Sequence, residues 1–377
     1  MSDPIRVLQL AKHFDPDTGG IETITLNISE MLREQGIRAD VLCTEVKGPY
    51  PAHQRDYRVI RCKADMAFGN KRLSWHYIRE GWRLQDDYDC AIVHMPNPLA
   101  VLVALGWRKP VIPLWHADIP QAPIRWATTP IDRRLLHKAA AVIGPTPIHL
   151  EQSHHAAAIR RGVVIPFPFN RSLIPVSSGT TAFAARLRTF RRDRPMTISI
   201  GRLVSYKGFD VLIEAARRFE DQLCAVIVGS GPLHDELTAR IAAAEVSDRV
   251  LLAGNLSSAE LADALAQARM GVMPSVTAAE MYGVAQVECM AAGLPMVSTD
   301  LPRSGVPFVN RHDQTGLIVP PGDAAALADA LLRLADNDAL WRRLSTGALR
   351  SVAEDHDFTP VGARYAALLR KVVASAR

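Results

Sequence analysis

The chain has 377 residues, 48% of them apolar and 22% charged, which excludes a disordered or fibrous protein. At ~100–200 residues per domain it asks for two domains. Its formal charge of +5 comes from 44 basic against 39 acidic residues, without the Lys/Arg runs of a nucleic-acid binder, so no nucleic acid is expected among its partners.

The N-terminal "MSDPIRVLQLAKHFDP" lacks the apolar stretch and small-residue cleavage site of a signal peptide. No apolar run approaches the ~18 residues needed to span a bilayer. Five scattered cysteines without a CxxC pair suggest neither a disulfide framework nor a zinc site, and a cytoplasmic setting is expected.

In chain order, "IRVLQL" (5–10) reads as a strand and Ile21 to Gln35 as a helix. The runs "ADVLCTE", "YRVIRC", "DCAIVH", "VIPLWH", "AVIGPT" and "VVIPF" follow, mostly separated by helical periods. They are continuous apolar stretches, as strands buried on both faces should be. At Asn170 the pattern breaks into a Pro/Ser/Gly-containing, then basic, segment. It restarts with "MTISIGRL", "CAVIVGSG", "RVLLAGNL", "MGVMPS", "PMVST" and "TGLIVPP", with helices predicted at 209–218, 234–245, 258–268 and 282–292. Such alternation predicts α/β architecture with doubly wound parallel sheets. The expected division is a first domain over 1–170, a linker over 171–194, a second domain over 195–355, and a C-terminal helix over 356–377 free to return to the first domain. A cleft between the two domains is the expected ligand site.

Four loops at predicted strand ends carry chemistry. "HFDPDTGGIET" places Gly19 and Gly20 at a helix start, where free N–H groups suit an anion; a plain turn is the competing reading. "IGRLVSYKGFD" places Arg202 and Lys207 five residues apart, two fixed cations suited to a diphosphate or merely solvated. "VIVGSGPLHDEL" leaves Gly229 and Gly231 without side chains, open to a base or ribose, although a GxG alone is equally a turn. The fourth, "VTAAEMYGVAQVECMAAGLP", sets Glu280 in a loop and Glu288 more than a turn inside a helix. That spacing puts the carboxylates on the order of 10 Å apart, wider than most hydrolytic pairs and suited to two ends of a long ligand.

Taken together, "TGGIE", "GRL…KG" and "EMYGVAQVECMAAGLP" resemble the retaining GT-B glycosyltransferases of family four, also called glycosyl transferases group 1. The resemblance covers the whole chain, and its E-x7-E element is the specific part. It implies two Rossmann-like domains and a nucleotide-sugar co-substrate, with no other cofactor and no metal. It assigns Glu288 to the ribose hydroxyls, Glu280 to the transferred sugar, and Arg202 and Lys207 to the diphosphate, with Gly20 covering it from the other domain. The backbone of Met281, Tyr282, Gly283 and Val284 is assigned to sugar hydroxyls and phosphate oxygens. His116, in "PLWHADIP", matches the family's histidine near the anomeric centre, and Asp118 is an acceptor-contact candidate.

The family commonly has Phe where Tyr282 stands, and "IPFPFN" replaces its frequent "IPNG". "TDLPRSGVPFVN" (299–310) is similar to the O-antigen and exopolysaccharide branch that uses GDP-mannose or GDP-rhamnose. "DYD" (87–89) has the spacing of a metal-dependent transferase motif, but it directly precedes an apolar strand and reads as the approach to it.

The segment "NKRLSWHYIREGWRL" (70–84) reads as a helix with Trp75, Ile78 and Trp82 on one face and Arg72, Arg79 and Arg83 around them. Such a face either packs on the first domain or lies at the inner membrane leaflet, beside a lipid-linked glycan acceptor. Competing functions are a UDP-sugar transferase of the same fold, a nucleotide-sugar 2-epimerase and a non-catalytic nucleotide-sugar-binding protein.

Overall fold

A computed structural model describes residues 4–14, 19–45, 56–68, 71–119, 122–173 and 175–376. Asp15–Thr18 of the first glycine loop, Asn70 and Ile174 lie outside the described residues. The chain forms two units, Met1–Phe169 with His356–Arg377, and Asn170–Asp355.

The first unit carries strands β1 (Arg6–Leu10), β2 (Arg38–Thr44) and β3 (Val59–Cys62), an antiparallel hairpin β4 (Met66–Phe68) and β5 (Lys71–Leu73), then β6 (Cys90–Met95), β7 (Val111–Trp115), β8 (Val142–Gly144) and β9 (Gly162–Val164). Seven of them form one sheet in the order β3-β2-β1-β6-β7-β8-β9, every pairing parallel. All residues of β6 and β7 are buried, so their apolar runs reflect a sheet covered on both faces. The helix Gly20–Glu34 buries Ile24, Ile28, Met31 and Leu32 along one stripe. The helix Phe358–Ala374 completes this unit. The Asp357 side chain caps it by accepting from Thr359 N, and Phe169 N donates to His356 O at 2.7 Å.

The second unit carries β10 (Met196–Ile200), β11 (Cys224–Val228), β12 (Val250–Gly254), β13 (Met270–Met273), β14 (Met296–Thr299) and β15 (Gly316–Val319), in a parallel sheet ordered β12-β11-β10-β13-β14-β15. Its core joins Phe209, Leu212 and Ile213 to Leu327, Leu331 and Leu334 around the sheet. The basic segment expected as a linker is fixed to this unit. The buried Asp263 carboxylate accepts from Ser177 Oγ (2.6 Å), Gly179 N (2.8 Å) and Thr181 Oγ1 (2.7 Å), and Thr181 opens a helix over Ala182–Arg191.

Both sheets reverse their strand order once, at β1/β6 and at β10/β13. In doubly wound sheets that reversal opens a crevice at the carboxyl ends of the strands. Among the described residues no helix is long and apolar enough to cross a membrane.

Candidate functional site

In the second unit the loops after β10 and β13 flank the reversal, and they carry Arg202, Lys207, Glu280 and the helix of Glu288. Arg202 follows the end of β10 by two residues, is exposed, and has no carboxylate partner among the described residues. Lys207 folds back across the strand end, where a Cβ on Gly201 would lie 3.1 Å from its Cε. Its Nζ meets Glu280 Oε2 at 2.5 Å, with both side chains largely buried.

Glu280 is held from several sides. Ser275 Oγ donates to its carboxylate at 3.1 Å, and Ser304 Oγ donates to its carbonyl. The loop is further tied by Thr299 Oγ1 to Ser275 O at 2.5 Å and Gly305 N to Met281 O at 2.8 Å. The segment 299–310 is therefore the strut beneath the glutamate loop.

The helix spans Val284–Ala291, shorter than the predicted 282–292, because its N-cap Gly283 sits at φ 74°, a left-handed conformation that side chains disfavour. At its start Gln286 N donates to Gly283 O at 2.8 Å, and the N–H groups before it have no carbonyl four residues back within the helix. Glu288 lies half-buried one turn inside. Burial pushes its carboxyl up to about 7, and the Lys207 charge opposes this only in part. One lysine therefore touches the first glutamate and is felt by the second.

Gly229 and Gly231 serve close packing of this loop cluster. A Cβ on Gly229 would fall 2.0 Å from Gly201 O, and one on Gly231 would fall 2.4 Å from Leu203 O. Their lack of side chains lets the loops after β10 and β11 pass backbone to backbone.

In the first unit Gly19 caps the helix Gly20–Glu34, and both glycines are exposed. A Cβ on Gly19 would lie 2.3 Å from Glu22 Oε2, so this helix end already carries a carboxylate of its own. His116 follows β7 and is buried, with Phe167 of "IPFPFN" stacked on it at 5.0 Å between ring centroids. Its Nε2 lies 2.9 Å from His94 Nδ1, and His94 Nε2 lies 2.9 Å from Gln9 Oε1. Burial lowers His94 to about 3, His149 to about 4 and His116 well below the usual imidazole range.

Residues 185–350 match the family described as Glycosyl transferases group 1, and residues 18–173 match Glycosyltransferase Family 4. The O-antigen chain mannosyltransferase C of Escherichia coli is 28% identical over 93% of this chain and 94% of its own. D-rhamnosyltransferase WbpZ of Pseudomonas aeruginosa is 27% identical over 87% and 86%. The chain is a family-four glycosyltransferase of the GT-B fold. In fold it is similar to sucrose-phosphate synthase of Thermosynechococcus elongatus, with a TM-score of 0.80 and 20% identity over 98% of this chain and all of the other. HepE of Anabaena, solved with UDP, gives 0.80 and 20% over 97% of this chain and all of its own.

Within the second unit of this glycosyltransferase, the loops at the β10/β13 reversal carry Arg202, Lys207, Glu280, Met281, Tyr282 and Gly283, and the helix that follows carries Val284 and Glu288. Tyr282 is buried, so its extra hydroxyl is an interior group. Asp118 is held within its own unit, accepting from Trp115 Nε1 (3.1 Å), Ser153 Oγ (2.7 Å) and His154 N (2.8 Å). "DYD" leads into β6, with Tyr88 Oη bonded to Asp40 and Asp89 accepting from Arg6 N at 2.8 Å.

The predicted 70–84 helix is corrected. Lys71–Leu73 is strand β5, the helix is Trp75–Arg83, and a 3-10 turn follows over Leu84–Asp87. Ser74 stops the helix from extending backward by capping it through Tyr77 N. The single apolar face is also corrected: Ile78 is buried in the core, while Trp75 is 76% exposed. Trp82 packs beside Gly106 and donates from Nε1 to Val103 O at 3.2 Å. Arg79 is exposed and Arg83 pairs with Glu80.

Sequence reading missed Ser275, Thr299 and Ser304, and it missed Gln9 and His94. The last two had a signal: polar residues in the buried parts of "RVLQL" and "CAIVHM", where every other buried position is apolar.

Proposed function

We propose that this glycosyltransferase moves a mannose- or rhamnose-type hexose from a GDP-linked donor onto a growing, lipid-linked glycan in cell-surface polysaccharide synthesis, with retention at the anomeric carbon and without a metal. The observation that carries the donor site is the Lys207–Glu280 pair lying with Glu288 and Arg202 at the β10/β13 reversal. The mannosyl- and rhamnosyltransferase relatives support the sugar and the polysaccharide.

In this reading Arg202, Lys207 and the backbone amides at the start of the Val284–Ala291 helix neutralise the departing diphosphate, fixed charges and dipoles that need no reorganisation. The bond from the sugar's anomeric carbon to the phosphate oxygen breaks. The acceptor hydroxyl bonds the same face, and its proton passes to the leaving oxygen. Glu288 takes the ribose hydroxyls and Glu280 those of the sugar. Asp118 is the acceptor contact, and Gly19, Gly20, Gly229 and Gly231 shape loops near the donor. Trp75 and Arg79, with half-exposed Trp82, place the enzyme at the inner membrane face, where a lipid-linked acceptor resides.

Thermal melting against GDP and UDP tests the donor base. A strong shift with GDP alone is expected, and a shift with UDP alone replaces the donor by a UDP-sugar. Glu288→Ala is expected to weaken nucleotide binding and Glu280→Ala to lower turnover. Full activity in both overturns the assignment. Nucleoside diphosphate release only with acceptor present separates transfer from epimerisation and from binding alone.

A further inference from the structure

A buried polar chain in the first unit fixes the protonation pattern of His116. Ser29 Oγ donates to Ala39 O at 3.2 Å and so accepts from Gln9 Nε2 at 2.6 Å. Gln9 Nε2 also reaches the backbone oxygen of Thr25 at 3.2 Å, a group that can only accept. The amide nitrogen of Gln9 therefore faces the helix, and its oxygen faces His94 Nε2 at 2.9 Å. An amide oxygen cannot donate, so His94 carries its proton on Nε2.

With burial keeping His94 neutral, its Nδ1 is a bare acceptor. Two groups approach that nitrogen, Thr25 Oγ1 at 3.3 Å and His116 Nε2 at 2.9 Å. Thr25 gives its hydroxyl proton to Ile21 O at 2.8 Å. The shared proton therefore belongs to His116 Nε2. The two rings lie 15° apart in plane with centroids 5.1 Å apart, the edge-to-edge arrangement that an N–H···N bond requires. Among the described residues nothing is bonded to His116 Nδ1.

We propose that Gln9 and His94 are positioning residues that lock His116 as the Nε2–H tautomer, so that its Nδ1 accepts a hydrogen bond from a hydroxyl of the transferred sugar. His116 then recognises an O–H group and gives no proton to the leaving phosphate. The sugar partner rests on the function proposed above; the tautomer rests on the buried chain alone.

The test is imidazole 15N NMR on the full chain, without substrate, joined to kinetics. Wild-type His116 is expected protonated on Nε2 and bare on Nδ1. A proton on Nδ1, or on both nitrogens at neutral pH, overturns the proposal. Gln9→Leu, which removes the anchor, and His94→Phe, which removes the acceptor, are both expected to mix the His116 tautomers. The expected kinetic result is kcat lower by about tenfold with the donor KM little changed, since one oriented hydrogen bond is lost at the reacting sugar. Unmixed tautomers in a folded Gln9→Leu variant, or mixed tautomers with wild-type kcat, also overturn it. Absence of turnover with any nucleotide-sugar would overturn the functional reading, while the ring's protonation would still decide this one.

Discussion

Glu288→Gln isolates the electrostatic cost of burying this carboxyl near Lys207. In the folded protein the Glu288 carboxyl keeps its proton up to about pH 7, whereas in the unfolded chain it loses it near 4.5. Between those values the folded state binds more protons than the unfolded one, so this residue's contribution to stability falls as pH rises and levels off above 7. The shift corresponds to at most about 3 kcal/mol, because Glu288 is only half-buried and water relieves part of the cost. Glutamine keeps the shape and removes the titration. Urea unfolding from pH 5 to 8.5 reads the difference, with the variant close to wild type at the acid end and more stable at the alkaline end. The buried histidines act with the opposite sign at lower pH: His94 and His149 are held down at about 3 and about 4, so their contribution rises as pH increases toward 6.5. They are common to both proteins and cancel in the difference. Parallel stability curves for the two proteins would refute the reasoning.

Glu280→Gln leaves the buried Lys207 ammonium without its partner and is expected to cost about 3 kcal/mol in the free protein. Isothermal titration should then show GDP bound about tenfold more tightly, since a competing anion is gone; weaker binding contradicts the placement of the diphosphate. Gly229→Ala combines a φ of 136° with a Cβ only 2.0 Å from Gly201 O, and is expected to lose about 3 kcal/mol in urea unfolding. Liposome flotation with anionic lipid should recover the wild type and lose Trp75→Ala. Failure of the wild type to float, or unchanged flotation of the variant, removes the membrane proposal.

The fold was legible because strands buried on both faces read as apolar runs, and because β1/β6 and β10/β13 place their loops at predictable strand ends. Helix bounds were less legible. Gly283 stands at the start of the predicted 282–292 helix, and its left-handed φ makes it the N-cap, so the helix begins only at Val284. In the 70–84 stretch the periodicity matches a helix, but Ser74 caps at mid-segment and the hairpin β4–β5 takes the residues before it. The helix Ala122–Lys138 is hard to read because Pro130 lies in its interior, where proline usually ends a helix. The charged candidates stood out because Arg, Lys and Glu after a strand end are conspicuous, and the structure gathers them at the β10/β13 reversal. The hydroxyls beneath them did not stand out, since one serine in a loop resembles another until its partner is known. Gln9 and His94 show the limit most clearly: each is a buried polar residue in a strand whose other buried residues are apolar, and only the parallel register that sets β1 beside β6 brings them together.

The two glutamates therefore differ less by position than by what Lys207 does for each. Its contact with Glu280 makes a compensated pair, and its weaker field leaves Glu288 largely uncompensated. On the proposed function, a diphosphate arriving at this loop cluster meets Arg202 first, because that guanidinium is exposed and has no carboxylate partner among the described residues. Lys207 can join only by sharing its charge between phosphate and Glu280, and every increment drawn toward phosphate frees Glu280 to bond sugar hydroxyls. On the proposed function, occupation of the diphosphate site and release of Glu280 are thus one electrostatic event.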